Sequence, residues 1–277
     1  MQNIKLVAGE DAVLLLHGLA GSPLELRYVA RQLHSYGFAV HVPHFPGYGH
    51  GKRATDWRRW HDDVCERLER LKRDYRTVSL GGLCIGATLA LSVAAEMGDA
   101  ITALALLSTT LRYDGWSIPW YRFLLPLSYH TPLRWSYSYA EREPYGLKNE
   151  ILRARVAMAA KLHPCTDVGA SSIPLNHVYQ ATRMIRRVRR ALPQVTAPAL
   201  VVHAVDDDIA SVRSADFVID HIGSRHVRKL YLGNSYHIVT MDNEREIVAR
   251  EMADFISSRI DIAFQSNTTF VRPRQRV

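Results

Sequence analysis

The chain has 277 residues, of which 47% are hydrophobic and 22% charged, which excludes a disordered chain, a collagen-like repeat and a coiled coil. Its 35 basic and 27 acidic residues give a net charge of +8, which favours an anionic partner or substrate. The length suits one large α/β domain with a substantial core.

The three cysteines are too few, and odd in number, for a disulfide framework: Cys65, Cys84 and Cys165. Reduced thiols are typical of the cytosol, so we expect a cytoplasmic protein. We expect no membrane span, because no apolar run reaches the ~18 residues that a span requires. The first residues do not lead into a signal-peptide core.

Short apolar runs alternate with helical patterns over the first 110 residues, which predicts a mostly parallel sheet with helices on both faces. Apolar runs predict strands at residues 12–17, 38–42, 77–81 and 101–107. Amphipathic or small-residue patterns predict helices at residues 23–36, 57–74 and 85–97. The alternation resumes near the C-terminus, with strands at 199–204 and 227–232 and a last helix at 244–259.

The alternation stops between Ser108 and about Pro193, and an insertion of this length is too long for a plain loop. It contains two helical patterns, near residues 149–162 and 174–192. We therefore predict a core of residues 1–107 and 194–262 and a helical cap (lid) of residues 108–193. Residues 263–277 are predicted to be a flexible, basic tail.

A candidate nucleophile lies between the third strand and its helix. Gly82-Leu83-Cys84-Ile85-Gly86 has the spacing of the Gly-x-Ser-x-Gly nucleophile elbow, with sulfur in place of oxygen. The helix that follows presents its N-terminus to the nucleophile, where negative charge is stabilised. The alternative is a buried structural cysteine in a glycine-rich turn. The segment lacks the lysine of a phosphate-binding loop and the spacing of the dinucleotide fingerprint.

Acyl chemistry also needs a base and a group that orients it. On an elbow of this type the chain order is nucleophile, acid, histidine. Asp206, Asp207 and Asp208 follow the strand at 199–204, and His237 follows the strand at 227–232. His237 is the predicted base. The three aspartates leave the choice of acid open at this point, since two of them can be turn or capping residues.

The turn after the first strand, His17-Gly18-Leu19-Ala20-Gly21, predicts the second half of an oxyanion hole. We expect the backbone N–H groups of Leu19 and Ile85 to be the donors. His17 is predicted to be a structural hydrogen-bonding residue. Three further histidines lack a convincing metal-ligand set and are expected to lie in surface loops: His41, His44 and His50. We expect neither a metal nor a cofactor.

These pieces occur in the order and spacing of the α/β-hydrolase superfamily, and the whole chain resembles its carboxylesterase and monoacylglycerol-lipase-like group. The matching segments are LLLHGLAGSP, PHFPGYGHG, GLCIGA, LVVHAVDDD and NSYHIVTMD. The resemblance implies that Asp207 is the acid. One departure matters, because those esterases carry serine at the elbow where this chain carries Cys84. Cysteine elbows occur in dienelactone hydrolases, polyhydroxyalkanoate synthases and some thioesterase-like acyltransferases.

The cysteine changes the reaction that we expect. A cysteine nucleophile converts an incoming thioester into another thioester at nearly equal free energy, so the acyl group keeps its driving force for transfer. We therefore predict an acyltransferase that uses Cys84, His237 and Asp207 and passes the acyl group to an alcohol or amine. The alternative is a carboxylesterase, lipase or thioesterase with water as acceptor, including a Ser-to-Cys variant of one. A non-catalytic binding protein is a further alternative, disfavoured by the intact set of three residues.

The expected partners are a small acyl substrate and an anionic acyl donor, with the oligomeric state left open. Four arginines recur at helical spacing and predict one positive face: Arg183, Arg186, Arg187 and Arg190. Such a face favours an acidic acyl carrier protein or a coenzyme A thioester, and the alternative is a solvated helix surface. Nucleic acid is not expected, because the basic residues are not interleaved with stacking aromatics. Cap aromatics such as Trp116 and Trp120 are predicted to line the substrate pocket, or else to pack the cap's own core.

Overall fold

A seven-stranded sheet forms the centre of the computed structural model, which describes residues 3–49, 54–162, 165–166, 169–170 and 172–268. The strands in these residues are, in chain order, β1 (Ile4–Leu6), β2 (Asp11–Leu16), β3 (Ala39–Val42), β4 (Thr77–Leu83), β5 (Leu104–Leu107), β6 (Ser138–Ala140), β7 (Cys165–Thr166), β8 (Gly169–Ala170), β9 (Ser172–Pro174), β10 (Ala199–Ala204) and β11 (Val227–Leu232). The sheet order is β1-β3-β2-β4-β5-β10-β11, and its pairings are parallel except that of β1 with β3. The predicted mostly parallel sheet is confirmed.

Helices cover both faces of this sheet. The described α-helices are α1 (Arg27–Ser35), α2 (Trp57–Asp74), α3 (Ile85–Met97), α4 (Leu125–Ser128), α5 (Leu133–Ser136), α6 (Glu150–Leu162), α7 (Leu175–Ala191), α8 (Arg213–His221) and α9 (Arg245–Thr268). Single turns of 3₁₀-helix lie at Pro23–Leu26, Gly98–Ala100, Trp120–Leu124 and Leu192–Gln194. Among the described residues, no helix is both long and apolar enough to cross a bilayer.

Successive side chains of the central strands enter opposite apolar layers. Along β2, Leu14 and Leu16 pack in the layer that contains α2 and α3, whereas Val13 and Leu15 pack in the layer that contains α1 and α9. Burial on both faces explains why these strands are continuous apolar runs in the sequence rather than alternating ones. Because these strands are parallel, their carboxyl ends lie along one common side of the sheet.

Two parts of residues 108–193, the segment predicted as a helical cap, differ in how they pack. α7 packs on α2 and α3, and its buried residues Ala181, Met184 and Val188 belong to the apolar layer of the core. By contrast, residues 116–137, the aromatic segment, expose large apolar side chains; Trp120 is 81% and Leu127 is 67% exposed. The amphipathic pattern of α7 is thus satisfied by the core helices, although the sequence assigned this helix to the cap.

The last helix is longer than the sequence pattern predicted. α9 runs to Thr268, past the expected end at Arg259, so residues 263–268 are helical although they were assigned to the flexible tail. The buried side chains of Ile256 and Ile260 extend its apolar face, and no glycine or proline interrupts the chain before Pro273. Residues 269–277 lie outside the described residues.

Candidate active site

Cys84 occupies a sharp turn between β4 and α3. Its φ of +59° and ψ of −120° place it in a backbone region that residues other than glycine rarely adopt. The Cys84 N–H donates to the Leu107 carbonyl at 2.9 Å, which fixes the turn to β5. A Cβ atom at Gly82 would overlap the Gly86 backbone, and one at Gly86 would overlap the Leu16 carbonyl. The two glycines of the elbow are therefore required by close backbone approach.

The Cys84 side chain is a partly buried free thiol at the junction of both apolar layers. Its Sγ lies 3.5 Å from Oγ1 of Thr110, which follows β5. Thr110 was not predicted from the sequence. Its position just after a strand that runs parallel to β4 is the signal that could have found it, since the ends of parallel strands share one edge.

Asp207 and His237 are in direct contact. His237 Nδ1 lies 2.9 Å from Oδ1 and 2.8 Å from Oδ2 of Asp207. Asp207 Oδ1 also accepts hydrogen bonds from the backbone N–H groups of Ile209, at 2.9 Å, and Ala210, at 2.8 Å. Since a carboxylate only accepts, Nδ1 carries the hydrogen. The other ring nitrogen, Nε2, is buried and has no hydrogen-bond partner within the described part of the chain.

The charges at this pair reinforce each other. Burial lowers the pKa of His237, but the Asp207 carboxylate and then the neighbouring Cys84 raise it, and the resulting pKa lies well above its usual value. Burial raises the pKa of Asp207, but His237 and the Ala210 N–H lower it, and the net pKa lies below its usual value. The pair is therefore a carboxylate beside a histidine that readily holds a second proton, and Cys84 is close enough to contribute to that preference.

The structure distinguishes the three consecutive aspartates. Asp207 contacts the His237 ring, whereas Asp206 is exposed and forms an ion pair with Lys148 Nζ at 3.1 Å. Asp208 is buried and accepts a 3.3 Å hydrogen bond from the backbone N–H of His237, not from its ring. Of the three carboxylates, that of Asp207 is the one placed to orient the imidazole.

The turn after β2 lies against the elbow, because a Cβ atom at Gly18 would be 3.8 Å from the Cβ atom of Cys84. Glu25 holds this turn: its Oε2 accepts from the Gly18 N–H at 2.9 Å and its Oε1 accepts from the Ser22 N–H at 3.0 Å. Within the described residues, neither the Leu19 N–H nor the Ile85 N–H donates a hydrogen bond.

Glu25, Tyr113 and Glu141 are the ionisable groups near the site that sequence reasoning missed. Burial raises the pKa of Glu25 to about 8 in spite of its two backbone hydrogen bonds. Burial likewise raises the pKa of Glu141 to about 7, and the charge of His237 acts on both carboxyls. The Tyr113 hydroxyl is buried, lacks a partner among the described residues and is influenced by Cys84. The capping-box pattern from Ser22 to Glu25 could have revealed Glu25.

The other histidines considered in the sequence lie around the β2 turn and β3. His17 is buried, its Nδ1 lies 2.8 Å from the Gly18 carbonyl, and burial lowers its pKa to about 4, so the ring is neutral. His41 lies within β3 and not in the surface loop predicted for it, and its Nε2 lies 3.2 Å from the Tyr75 hydroxyl. His44 lies over the His17 ring, with 6.1 Å between ring centroids. His50 lies outside the described residues.

The two tryptophans predicted to line the pocket have different surroundings. Trp116 Nε1 donates to the Asp206 carbonyl at 2.9 Å, and its ring meets that of Tyr236 edge-on at 5.4 Å. Trp116 therefore touches both loops that carry the Asp–His pair. The Trp120 ring packs beside Tyr121 and Phe123 in the aromatic segment, and most of its surface is exposed.

The predicted basic face lies on α7. The Arg183 guanidinium is already engaged there, since its Nη1 lies 2.7 Å from Asp56 Oδ2 and 3.0 Å from Gln180 Oε1. The other three arginines are exposed: Arg186, Arg187 and Arg190. The positive face therefore remains, with one of its four charges paired.

A strained elbow in a mostly parallel sheet, with an Asp–His pair on the loops after two further strands, defines an enzyme of the α/β-hydrolase class. The chain belongs to the serine aminopeptidase (S33) family, whose model matches residues 9–244. The family description names a serine enzyme, whereas the elbow of this chain carries Cys84.

Relatives and solved structures agree with this class. The chain is 23% identical over 252 residues to a carboxylesterase of Bacillus subtilis (strain 168), covering 90% of this chain and 93% of that one. It is also 23% identical over 252 residues to a thermostable monoacylglycerol lipase of Bacillus sp. (strain H-257), covering 90% and 91%. The monoacylglycerol lipase structure of Paleococcus ferrophilus superposes with a TM-score of 0.77 at 16% identity, covering 93% and 98% of the two chains.

Proposed function

We propose that the protein hydrolyses a carboxylic ester or thioester, with Cys84 as nucleophile, His237 as general base and Asp207 as the residue that orients His237. The observation that carries the proposal is the contact between Asp207 and His237 Nδ1. His237 Nε2 has no hydrogen-bond partner among the described residues, and Cys84 is near enough to raise the pKa of the His237 ring. The carboxylesterase and lipase relatives favour water as the acceptor. This puts hydrolysis ahead of the acyl transfer that the cysteine alone suggested.

In the first half-reaction His237 Nε2 takes the thiol proton and Cys84 Sγ attacks the acyl carbonyl carbon. The carbonyl oxygen becomes an oxyanion, to which the Leu19 and Ile85 N–H groups donate, each donor contributing about 3 kcal/mol. The tetrahedral intermediate expels the alcohol or thiol, which takes the proton from His237, and acyl-Cys84 remains. In the second half-reaction water gives a proton to His237 and attacks the thioester carbonyl carbon. The tetrahedral intermediate then releases the acid as His237 returns that proton to Cys84 Sγ, which regenerates the thiol.

Asp207 acts on His237 rather than on the substrate. Its contact with Nδ1 keeps the hydrogen on that nitrogen, which leaves the Nε2 lone pair for the thiol proton. Its negative charge stabilises the imidazolium that forms during both half-reactions. The low pKa of the Asp207 carboxyl keeps this charge in place.

Acyl transfer to an alcohol or amine is the second candidate. It is favoured by the thiol of Cys84, since an acyl-cysteine retains the free energy of a thioester. The exposed arginines of α7 support an anionic donor, such as a coenzyme A thioester or an acidic acyl carrier protein. Such a partner and a cytoplasmic location stay predictions.

The test is intact mass spectrometry after mixing the chain with short aryl esters or acyl thioesters, followed by peptide mapping. We expect an acyl adduct on Cys84 and steady release of free acid, with neither from Cys84→Ala. Release to an added alcohol or amine faster than to water would favour transfer over hydrolysis. An adduct confined to Cys65 or Cys165, or turnover by Cys84→Ser alone, would contradict a cysteine nucleophile.

A further inference from the structure

A second group of chemically reactive side chains lies between α2 and α3, and none of them enters the proposed reaction. This group, the α2–α3 cluster, consists of His61, Cys65 and Glu96. His61 Nε2 is 2.9 Å from Glu96 Oε2 and 3.5 Å from Cys65 Sγ, and the three ligand atoms all lie within 4.8 Å of one another. Imidazole, thiol and carboxylate thus converge on one point.

The spacing of these atoms suits a tetrahedral metal ion. Zinc bonds of about 2.3 Å to sulfur, 2.05 Å to nitrogen and 2.0 Å to oxygen imply an S···N separation of about 3.6 Å and an N···O separation of about 3.3 Å. The S···N distance already matches. The N···O distance is shorter, because the two atoms share a hydrogen bond, and Glu96 has room to move because its side chain is 70% exposed.

Rigid elements position two of the three groups. His61 and Cys65 are four residues apart on α2, so they lie on the same face of the helix. α2 packs along α3, which brings Glu96 opposite them. A fixed backbone lowers the entropic cost of gathering the ligands, since only the Glu96 side chain must be ordered.

A further contact supports a metal-binding orientation of His61. Its Nδ1 lies 3.0 Å from the Ser92 hydroxyl. If Nδ1 donates to that oxygen, the Nε2 lone pair is directed at Cys65 and Glu96, which is the outer contact that metal-bound histidines usually make. A serine hydroxyl can also donate, so Ser92 accommodates the metal-free state, in which Nε2 donates to Glu96.

We propose that the α2–α3 cluster binds one divalent transition-metal ion of the zinc type, through His61 Nε2, Cys65 Sγ and a Glu96 carboxylate oxygen. Binding replaces the Nε2–Glu96 hydrogen bond. The His61 ring changes tautomer, so that its hydrogen leaves Nε2 and Nδ1 donates to Ser92, and the Cys65 thiol proton is released to solvent. A water molecule takes the fourth position. A thiolate and an imidazole select zinc or cobalt over magnesium or calcium, which prefer oxygen ligands.

The test uses Co²⁺ as the probe and the full chain with Cys84→Ala, because Cys84 and His237 form a second thiol–imidazole pair. We expect one equivalent of Co²⁺ to bind, with a thiolate-to-cobalt charge-transfer absorption that Zn²⁺ abolishes by displacement. Adding Cys65→Ser removes the absorption. Adding Glu96→Gln weakens Co²⁺ binding at least tenfold, whereas Glu66→Gln, a matched change of an exposed α2 acid paired with Arg70, leaves it unchanged.

Several results would overturn the proposal. These are no Co²⁺ binding at millimolar concentration, an absorption that persists in Cys65→Ser, or equal affinities of Glu96→Gln and Glu66→Gln. If Cys65→Ser fails to fold, the unsubstituted chain provides the decision. Zinc must then protect Cys65 from alkylation, as measured by peptide mass, and a chelator must reverse that protection; equal alkylation with and without zinc contradicts the site.

Discussion

Two regions of the molecule differ in how deeply their side chains are buried. One is the side of the sheet where the strands end and Cys84 lies, called the sheet edge below, and the other is the aromatic segment at residues 116–137. At the sheet edge, Asp207 and His237 are almost completely buried, and backbone N–H groups fix the Asp207 carboxylate. In the aromatic segment, Trp120 and Trp135 are mostly exposed and pack chiefly on neighbours in the same segment. The reacting groups are thus held by the core, whereas the aromatic segment has little core of its own.

This difference separates two kinds of sensitivity. Substitutions at the sheet edge should cause large losses of kcat/KM or of unfolding free energy, because each buried polar group there has few alternative hydrogen-bond partners. Substitutions in the aromatic segment should change substrate affinity while leaving stability nearly unaltered, because they remove little buried area.

The largest expected effect is that of Asp207→Asn. The amide can donate to His237 Nδ1 and so favours the wrong tautomer, and we expect kcat/KM for an aryl ester to fall by about 10³–10⁴-fold. Asp206→Asn is the matched control, since Asp206 is exposed and contacts Lys148, and its kcat/KM should stay within twofold. Steady-state kinetics of both variants and of Asp208→Asn decides the assignment. A larger loss in Asp208→Asn would make Asp208 the acid.

The next effect concerns stability and the buried carboxyl of Glu25. Its pKa is raised from 4.5 to about 8, so between these values the folded chain binds a proton that the unfolded chain does not. The stabilisation is fully present below about pH 4.5 and is lost as the pH rises through about 8. Urea unfolding should show a decline of up to about 5 kcal/mol from this group over that range.

Glu25→Gln removes this titration and leaves one backbone N–H, of Gly18 or Ser22, facing an amide NH₂ group. We expect a loss of about 1–3 kcal/mol at pH 5 and a flatter dependence of unfolding free energy on pH than in the unsubstituted chain. Parallel curves for the two proteins would mean that Glu25 is ionised in the folded state and that its two hydrogen bonds outweigh its burial.

A smaller effect distinguishes the two tryptophans. Trp116→Ala removes the hydrogen bond to the Asp206 carbonyl and the contact with Tyr236, and we expect KM to rise about three- to tenfold with a smaller change in kcat. Trp120→Ala removes an exposed ring and should change the unfolding free energy by less than about 0.5 kcal/mol. If Trp120→Ala changes KM equally for esters with short and with long acyl chains, the Trp120 ring does not contact the acyl chain.

The sequence could predict those elements and residues that have a local signal. The bounds of α2, α3, β10 and β11 were predicted to the residue, because their apolar faces and glycine or aspartate boundaries are local signals. β1 was missed, since an outermost strand of three residues is too short to show a periodic pattern. The elbow and His237 could be found because each follows an apolar strand.

Choices that depend on tertiary contact could not be made from local residue patterns. The residues alone left three candidate acids, and the choice of Asp207 came from the resemblance to the hydrolases; its contact with the His237 ring is visible only in the structure. Glu141 and Tyr113 lie in the insertion, whose path depends on packing rather than on a repeated pattern. The α2–α3 cluster shows the same limit, because His61 and Cys65 are an evident helical pair, but Glu96 lies 35 residues beyond His61.

The smallest effect is expected on the exposed face of α7. Arg187→Glu reverses one charge of that face without breaking a contact of the core, so hydrolysis of a neutral aryl ester should stay within twofold. For a coenzyme A thioester we expect KM to rise about threefold at low salt and to return toward normal as salt screens the charge. Arg250→Glu, an exposed charge on α9 in the opposite helical layer, is the control. If both variants raise KM equally, overall charge attracts the donor; if only Arg187→Glu does, α7 is the docking face and acyl transfer from an anionic donor gains support.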